Sequence, residues 1–461
     1  MAKPTDNSTP PQTEGRESEI LEGATAEVAP VSDLRTHDAY AAFRHPVYVL
    51  YATSFVLAII GSQTLSAAAV FDVDAKTGSP LMVGLLGLAN LVPLLTLAMP
   101  AGHVADTFNR KRVLIATQAV LVACPLALSF WHSLPAIFSL LVANAVALTF
   151  GRPARAAILP NLVPKAIFSN AVTWNSSFFE LASSIAPAMT GFVIARYGPG
   201  MAYLVSGVSM ALCMVLTCFL PDIRPPARDR KQPVSWRTLA AGLFFVRSRP
   251  LLLAPMLLDL VAVILSGVTA LMPLFAGRLA GDPASIGWDD RKAVIFGWLM
   301  AAPSIGAVLM AVAQAHLPPA ARAGRVLLLA VAGYGAATIV FGMSNNFWLS
   351  FVMLAVTGAF DNLSVVVRHT LVQLATPDSM RGRVSAVNQI FVISSNELGK
   401  VESGVTAALF GPVVSVVGGG IATILVALGV GTKFPQLRRL GSLRDVTPEE
   451  DEAPELKPAA A

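Results

Sequence analysis

The sequence has few charged residues for its length. Only 13% of its 461 residues are charged, whereas soluble globular proteins carry roughly a quarter. Hydrophobic residues make up 54% of the chain and the mean hydropathy is +0.64. A folded soluble protein needs a charged surface around its core, and this composition does not supply one. A soluble enzyme is therefore nearly excluded, and the lipid bilayer is the expected solvent.

Cysteine is also scarce, and the motifs of enzymes are missing from the sequence. The three cysteines, Cys124, Cys213 and Cys218, lie inside apolar runs without the spacing of a disulfide framework or a metal site. The sequence lacks nucleotide-binding loops and catalytic triads. We therefore predict no metal, no cofactor and no enzymatic activity. The net charge of +5 is assigned to loops that orient a membrane protein rather than to binding of nucleic acid.

Twelve apolar segments are long enough to cross about 30 Å of hydrocarbon as helices, which takes roughly 20 residues each. They lie near 47–70, 81–101, 112–131, 135–157, 168–195, 200–220, 250–277, 293–315, 325–343, 347–373, 383–410 and 412–432. A polar segment, 221–249, follows the sixth. The sequence therefore predicts an all-α membrane protein with twelve transmembrane helices in two six-helix bundles, 39–220 and 250–435.

The polar segments predict the topology. Residues 1–38 and 436–461 contain no apolar stretch and are predicted to be disordered tails. Loops on one side of the predicted bundle, including the basic linker 221–249, carry about 17 Lys and Arg residues, against about five on the other. This asymmetry places the linker and both termini in the cytoplasm, so we predict a multi-pass protein of the bacterial inner membrane.

Identical residues recur at a fixed distance of 213 positions, which predicts that the two halves are copies of each other. Chance matching of glycine- and proline-rich helices explains one or two such pairs, but not a set that includes arginine and asparagine. Two halves related by an axis along the membrane normal are typical of transporters that rock about a central substrate site. The matched pairs are Arg155 with Arg368, Gly84 with Gly297, His103 with His316, Arg112 with Arg325, Pro164 with Pro377, Asn175 with Asn388, Gly191 with Gly404, and Gly198-Pro199 with Gly411-Pro412.

The loop after the second predicted span, GHVADTFNRKR, resembles the G-x-x-x-D-x-x-x-R-[KR] signature of the major facilitator superfamily. Gly102 permits close approach of two helix ends, and Asp106 can lie at the positive N-terminus of the eleventh span, so we predict a gating role for both. The second half has Pro319 at the position that matches the aspartate, which predicts a one-sided lock. The basic residues of the motif are assigned to the gate or, alternatively, to topology alone: Arg110, Lys111 and Arg112.

Three more stretches, FRHP at 43–46, GSQ at 61–63 and RPARAAILPNLVP at 152–164, resemble the enterobactin-exporter branch of this superfamily. Macrolide efflux pumps share that branch. The resemblance implies alternating-access export of a small amphipathic molecule, of the siderophore or drug class, by proton antiport. A lysophospholipid or nutrient transporter is the alternative. A membrane sensor or scaffold without transport is a further alternative, and the intact gating motif disfavours it.

Ionisable residues inside the predicted spans are the remaining chemical signal. Each costs about 2.5 to 3.5 kcal/mol at a helix centre unless it is paired or hydrated. Asp361 and Arg368 are seven residues apart on the tenth span, and Glu397 and Lys400 are three apart on the eleventh. Because each pair shares a helix face, we predict an ion-pair network between these two spans. The network either takes part in transport or only holds the helices together.

Other intramembrane charges have no cation nearby in the sequence. Glu180 on the fifth span and Asp259 on the seventh are therefore predicted to bind and release protons. Glu402 lies on a different helix face from Glu397 and is kept as a further candidate. Arg155 and its repeat partner on the tenth span either help to bind cargo or extend toward the membrane surface. The predicted partners are a small-molecule substrate, protons and membrane lipids, and the predicted state is a monomer.

Overall fold

The structure is a computed structural model that describes residues 40–164, 167–222, 236–316, 322–442 and 446. The described residues are helical and include no β-strand. The helices named below all belong to one compact unit, Ala42–Ala461. The predicted tail 1–38 and most of the predicted tail 436–461 lie outside the described residues.

Six long helices make up the first bundle. They often begin at proline, as α1 does at Pro46 and α2 at Pro80, because the first turn of a helix does not need the missing N–H. Gly78 ends α1 with a φ of +56°, which favours glycine. The Asn109 side chain caps α3 by accepting hydrogen bonds from two backbone N–H groups. The helices are α1 Pro46–Thr77, α2 Pro80–Thr107, α3 Arg110–Phe130, α4 Leu134–Ala156, α5 Phe168–Tyr197 and α6 Pro199–Cys218.

The second bundle follows with the same number of spans. Within the described part of the chain, eleven helical segments are long and apolar enough to cross a membrane, when α8 and α9 are counted as one. The remaining span, the eleventh in chain order, is the 33-residue helix α13. It contains more charged residues than the apolar segments counted above and packs against α2 and α8. The helices are α7 Trp236–Ser248, α8 Pro250–Leu265, α9 Met272–Ala280, α10 Trp288–His316, α11 Ala323–Met343, α12 Phe347–Ala375, α13 Asp378–Phe410, α14 Pro412–Lys433 and α15 Pro435–Arg439.

Two segments differ from the sequence predictions. The polar segment 221–249, predicted as a linker, contains α7, while 223–235 lies outside the described residues. The seventh span, predicted as continuous over 250–277, is interrupted between α8 and α9. At the break, a Cβ on Gly267 would lie 2.9 Å from the Cα of Gly399 on α13. Close packing of these two backbones accounts for the irregular turn.

The helix bounds follow the 213-residue repeat. Helix α11 begins and ends 213 positions after α3, and α14 begins 213 positions after α6. The contacts between the bundles follow the same repeat. Helix α2 packs against α13, and α5 packs against α10. A shift of 213 positions takes α2 to α10 and α5 to α13, so the two contacts are equivalent. Each bundle therefore contributes equivalent helices to the interface.

The two ends of the helix bundle are named by their loops. The basic end is where α2 ends and α3 begins, and the far end is where α1 ends and α2 begins. Near the far end, a Cβ on Gly84 would lie 2.8 Å from the Cα of Gly404, and one on Gly191 would lie 2.7 Å from the Cα of Gly297. Backbones approach this closely only because both partners lack side chains.

Candidate functional site

A polar cavity of 190 Å³ lies between α1, α2 and α4 of the first bundle and α13 of the second. Three carboxamide side chains line it, and so do three charged side chains. A pocket with convergent polar groups at the interface of two bundles is the expected place for a small-molecule site. The polar lining residues are Ser62, Gln63, Ser66, Asn90, Asn144, Thr149, Arg152, Glu397 and Lys400.

The charges of this polar cavity are coupled. Lys400 Nζ lies 3.0 Å from both carboxylate oxygens of Glu397. Asn90 Nδ2 donates to the same carboxylate across the bundle interface at 3.4 Å. Arg152 lines the cavity and interacts electrostatically with Glu397. The structure thus brings Glu397 and Lys400 together with the first bundle, not with Arg368.

Arg368 has a different partner from the predicted one. Its guanidinium forms an ion pair with Asp259 on α8, and its side chain is 2% exposed. The predicted ion-pair network of Asp361 and Arg368 with the eleventh span is therefore wrong, as is the assignment of Asp259 as a carboxylate without a cation. Spacing along one helix shows which residues share a face, but not which neighbouring helix supplies the counter-ion.

Glu180 and Asp361, like Glu402, are intramembrane carboxylates without a cation partner in the described part of the chain. Among the described residues, neither forms an ion pair. They lie on α5 and α12, in different bundles, and interact electrostatically with each other. Asp361 also borders a small void of 20 Å³ beside Tyr334. Both carboxylates are therefore candidates to bind and release a proton.

Glu402 lies among hydroxyl groups, away from the polar cavity. The Ser403 hydroxyl donates to its carboxylate at 3.3 Å. Thr406 donates to its backbone carbonyl at 3.0 Å and lies 2.6 Å from Ser415 on α14. The neighbourhood of Glu402 therefore joins α13 to α14 within the second bundle.

Arg155 lines a second cavity, of 330 Å³, that shares Ser62, Gln63 and Arg152 with the first. Its Nη2 donates to Cys213 Sγ at 3.5 Å. Its Nη1 is buried and has no hydrogen-bond partner among the described residues. A buried donor of this kind is costly unless water or a ligand satisfies it, so Arg155 is placed to meet a molecule in the cavity.

The gating motif makes few contacts in this conformation. Asp106 is exposed, and Gly102 has no atom within 4 Å of where a Cβ would lie. The basic residues contact the first bundle: Arg110 donates to the carbonyl of Ala157 at 3.1 Å and Lys111 lies 3.9 Å from Asp222, while Arg112 is exposed. At the basic end, Asp106 is therefore not engaged with α13.

A charged network at the far end was missed by the sequence analysis. Lys292 Nζ on α10 lies 2.7 Å from Asp74 Oδ2 on α1, so this ion pair joins the two bundles. Lys292 is only 9% exposed and its ammonium lies 5.6 Å and 5.1 Å from the ring centroids of Phe71 and Trp288. These contacts join the two bundles at the far end through a buried cation.

A second carboxylate, Asp72, lies two residues before Asp74 on α1. It pairs with Lys76 and accepts a hydrogen bond from the Tyr203 hydroxyl at 3.2 Å. The aspartates and Lys292 lie outside the predicted spans, because the first was predicted to end near residue 70 and the eighth to begin near residue 293. The signal that was available for the aspartates is Gly78, a helix-ending residue eight positions after residue 70.

Comparisons with known proteins agree with this architecture. The chain matches the transmembrane secretion effector family over residues 37–457. It is 27% identical to the enterobactin exporter EntS of Citrobacter koseri over 419 residues, 89% of this chain and 96% of the relative. It is 26% identical to that of Shigella boydii over 400 residues, 86% and 93% of the two chains.

Solved structures share the fold at low sequence identity. A crystal structure of the nucleoside transporter NupG matches with a TM-score of 0.64 and 15% identity, covering 86% of this chain and 99% of that one. A bacterial homologue of the human lysosomal transporter Spinster, inward-facing and occupied, matches with a TM-score of 0.67 and 15% identity, covering 86% and 98%. These relatives and neighbours are transporters rather than enzymes. The chain is therefore a multi-pass membrane transporter of the major facilitator fold and belongs to the transmembrane secretion effector family.

Proposed function

We propose that the protein exports a small amphipathic molecule of the siderophore or drug class by proton antiport with alternating access. The observation that carries this proposal is the difference between the two ends of the molecule. Close glycine contacts and a buried ion pair join the two bundles at the far end, while Asp106 at the basic end is exposed and forms no ion pair with a described residue. A polar cavity lies between the bundles. This is the geometry of one state of a rocking carrier.

The distribution of basic residues supports an inward-facing assignment of this state. Lys and Arg concentrate in the loops of the basic end, and such loops stay in the cytoplasm. With the basic end in the cytoplasm of a bacterial inner membrane, both termini are cytoplasmic. The cavity then loads cargo from inside the cell and releases it when the far end opens.

Glu180 and Asp361 are the proposed proton carriers. Because they interact across the bundle interface, rocking of the bundles changes their separation and their access to water. A carboxylate couples proton flow to transport when its proton affinity depends on which end is open. Asp259 does not take this role in the proposal, because its ion pair with Arg368 occupies it.

The class of cargo rests on the relatives and on the cavity lining. The relatives are named enterobactin exporters, and the cavity offers carboxamides, hydroxyls and cations. This lining suits a molecule with many hydrogen-bonding groups better than an acyl chain, which favours the siderophore or drug class over a lysophospholipid. We propose that the carrier works as a monomer in contact with membrane lipids.

Transport into inverted membrane vesicles tests the proposal. With an acidic lumen, we expect uptake of labelled enterobactin or of a macrolide that collapses when a protonophore dissipates the gradient. Glu180→Gln should abolish gradient-driven accumulation but retain exchange of cargo, and the matched control Glu180→Asp should retain both. Absence of gradient-driven uptake of every probe by the wild-type protein would contradict proton-driven export. Full gradient-driven uptake by both Glu180→Gln and Asp361→Asn would show that another carboxylate couples transport.

A further inference from the structure

The polar cavity between α1, α2, α4 and α13 contains two cations and one anion. Lys400 is neutralised by Glu397 at 3.0 Å, and Arg152 lines the same cavity and interacts with that same carboxylate. Arg152 forms no ion pair with a described residue, so the lining carries an excess of one positive charge. An arrangement of this kind attracts an anionic group.

Asn144 adds a second observation that points to a ligand. This side chain lines the same cavity and is only 5% exposed. Its Oδ1 is buried and has no hydrogen-bond partner among the described residues. Buried polar atoms are almost always satisfied, and a carbonyl oxygen can only accept. The oxygen is therefore placed for a hydroxyl or N–H group of a molecule in the cavity.

We infer that Glu397 acts as an internal substitute for cargo, holding Lys400 until an anionic group of the cargo displaces it and binds Lys400 and Arg152, while Asn144 accepts a hydrogen bond from a donor on the same molecule. The inference rests on the proposed function for the identity of the cavity as the transport site. It makes Glu397 and Asn144 specificity-determining residues. The ligand class is an organic anion that carries a hydroxyl or amide donor.

The inference predicts that Glu397 competes with the ligand. Replacing it with glutamine removes the competing charge but keeps a side chain of the same size and its acceptor for Asn90. Anions should then bind more tightly. By contrast, a permanent cation gains nothing from Lys400 and Arg152, and it is attracted only by the carboxylate that the glutamine removes. Selectivity for anions should therefore rise in Glu397→Gln.

Calorimetric titration of the purified protein with three small probes tests the inference. The probes are benzoate, 3-hydroxybenzoate, which adds a hydrogen-bond donor, and benzyltrimethylammonium, which reverses the charge. We expect the wild-type protein to prefer 3-hydroxybenzoate over benzoate about fivefold, and Asn144→Ala to lose this preference. Glu397→Gln should bind both anions about tenfold more tightly. Glu402→Gln, a change on the same helix outside the cavity, is the matched control and should leave all three affinities unchanged.

Three results would overturn the inference. These are equal or weaker binding of the anions by Glu397→Gln, equal binding of the two anions by the wild-type protein, and binding of neither anion by the wild-type protein or by Glu397→Gln. The transport assay separates these results from a failure of the proposed function. If the protein transports cargo in response to the gradient but fails the titration, the proposed function stands and the inference is wrong. If it passes the titration but shows no gradient-driven transport, the cavity binds organic anions and the proposal of proton-driven export is wrong.

Discussion

Arg155 and Arg368 occupy the same position in the two bundles and have different surroundings. Arg368 in the second bundle is 2% exposed and is held by Asp259 of α8. Arg155 in the first bundle has no carboxylate in ion-pair distance among the described residues, and one of its terminal nitrogens has no hydrogen-bond partner there. It lines a cavity instead.

The difference teaches that a matched residue in a repeat need not keep a matched role. In the second bundle the arginine joins α8 to α12, so it stabilises the bundle. In the first bundle the same residue type faces the space between the helices, where a ligand or water can reach it. The ion pair of Arg368 with Asp259 is therefore structural, while Arg152 and Arg155 of the first bundle line cavities and are available to cargo.

The largest expected effect comes from removing the counter-ion of Arg368. Asp259→Asn leaves Arg368 without its counter-ion in the membrane, which typically costs about 3 to 5 kcal/mol. We expect a marked fall in the thermal unfolding temperature of the purified protein, measured by size-exclusion chromatography after heating. The control Asp361→Asn removes a carboxylate that holds no cation and should unfold close to the wild-type temperature. An equal fall in unfolding temperature in both variants would indicate that both carboxylates stabilise Arg368.

Arg155→Met tests the predicted role of the first-bundle arginine in contacting cargo. Because Arg155 holds no counter-ion, the variant should unfold within a few degrees of the wild-type protein, a stability change of about 1 kcal/mol or less, but lose cargo uptake into vesicles. Arg368→Met should instead lower the unfolding temperature, since it strands Asp259. Similar unfolding temperatures for the two variants would contradict the division of roles.

Breaking the ion pair that joins the bundles should change the conformation by a smaller amount. Lys292→Met removes a charged hydrogen bond worth about 1.5 to 3 kcal/mol from the closed far end, whereas an open far end lets water solvate Asp74. We expect the far-open population to rise at least tenfold, measured as labelling of a cysteine placed in the cavity wall by a membrane-impermeant thiol reagent from the far side. The control Arg278→Met, near the same end, leaves the pair intact and should label as the wild-type protein does.

Asp106→Asn should produce the smallest shift. We expect the charge to interact with the N-terminus of α13 only when the basic end closes, a gain of about 1 kcal/mol that corresponds to roughly a fivefold change in population. The variant should spend more time with the basic end open, and its thermal stability should not change because Asp106 is exposed in the present conformation. An unchanged distance distribution between the ends of α2 and α13 would refute the lock.

The helices could be predicted from the sequence, and much of the site could not. Length and hydropathy locate most spans, because a helix that crosses lipid needs about 20 apolar residues. The same rule ended the first span at residue 70 and hid Asp74, whose partner Lys292 is 218 positions away. In the sequence, Arg152 stands out only as the first residue of the family motif at 152–164. Pairing between distant helices depends on packing that periodicity along one helix does not contain, and this also explains why Asp259 and Arg368 were not matched.

The central claim, that the two bundles rock about the cavity, is tested most directly by measuring both ends in the same protein. Spin labels at Ser133 and Asn345 report the far end, and labels at Thr107 and Gly382 report the basic end, in a background without the three native cysteines. When protons or cargo change the state, the basic-end distance should shorten while the far-end distance lengthens. Two distances that stay constant, or that change in the same direction, would contradict alternating access.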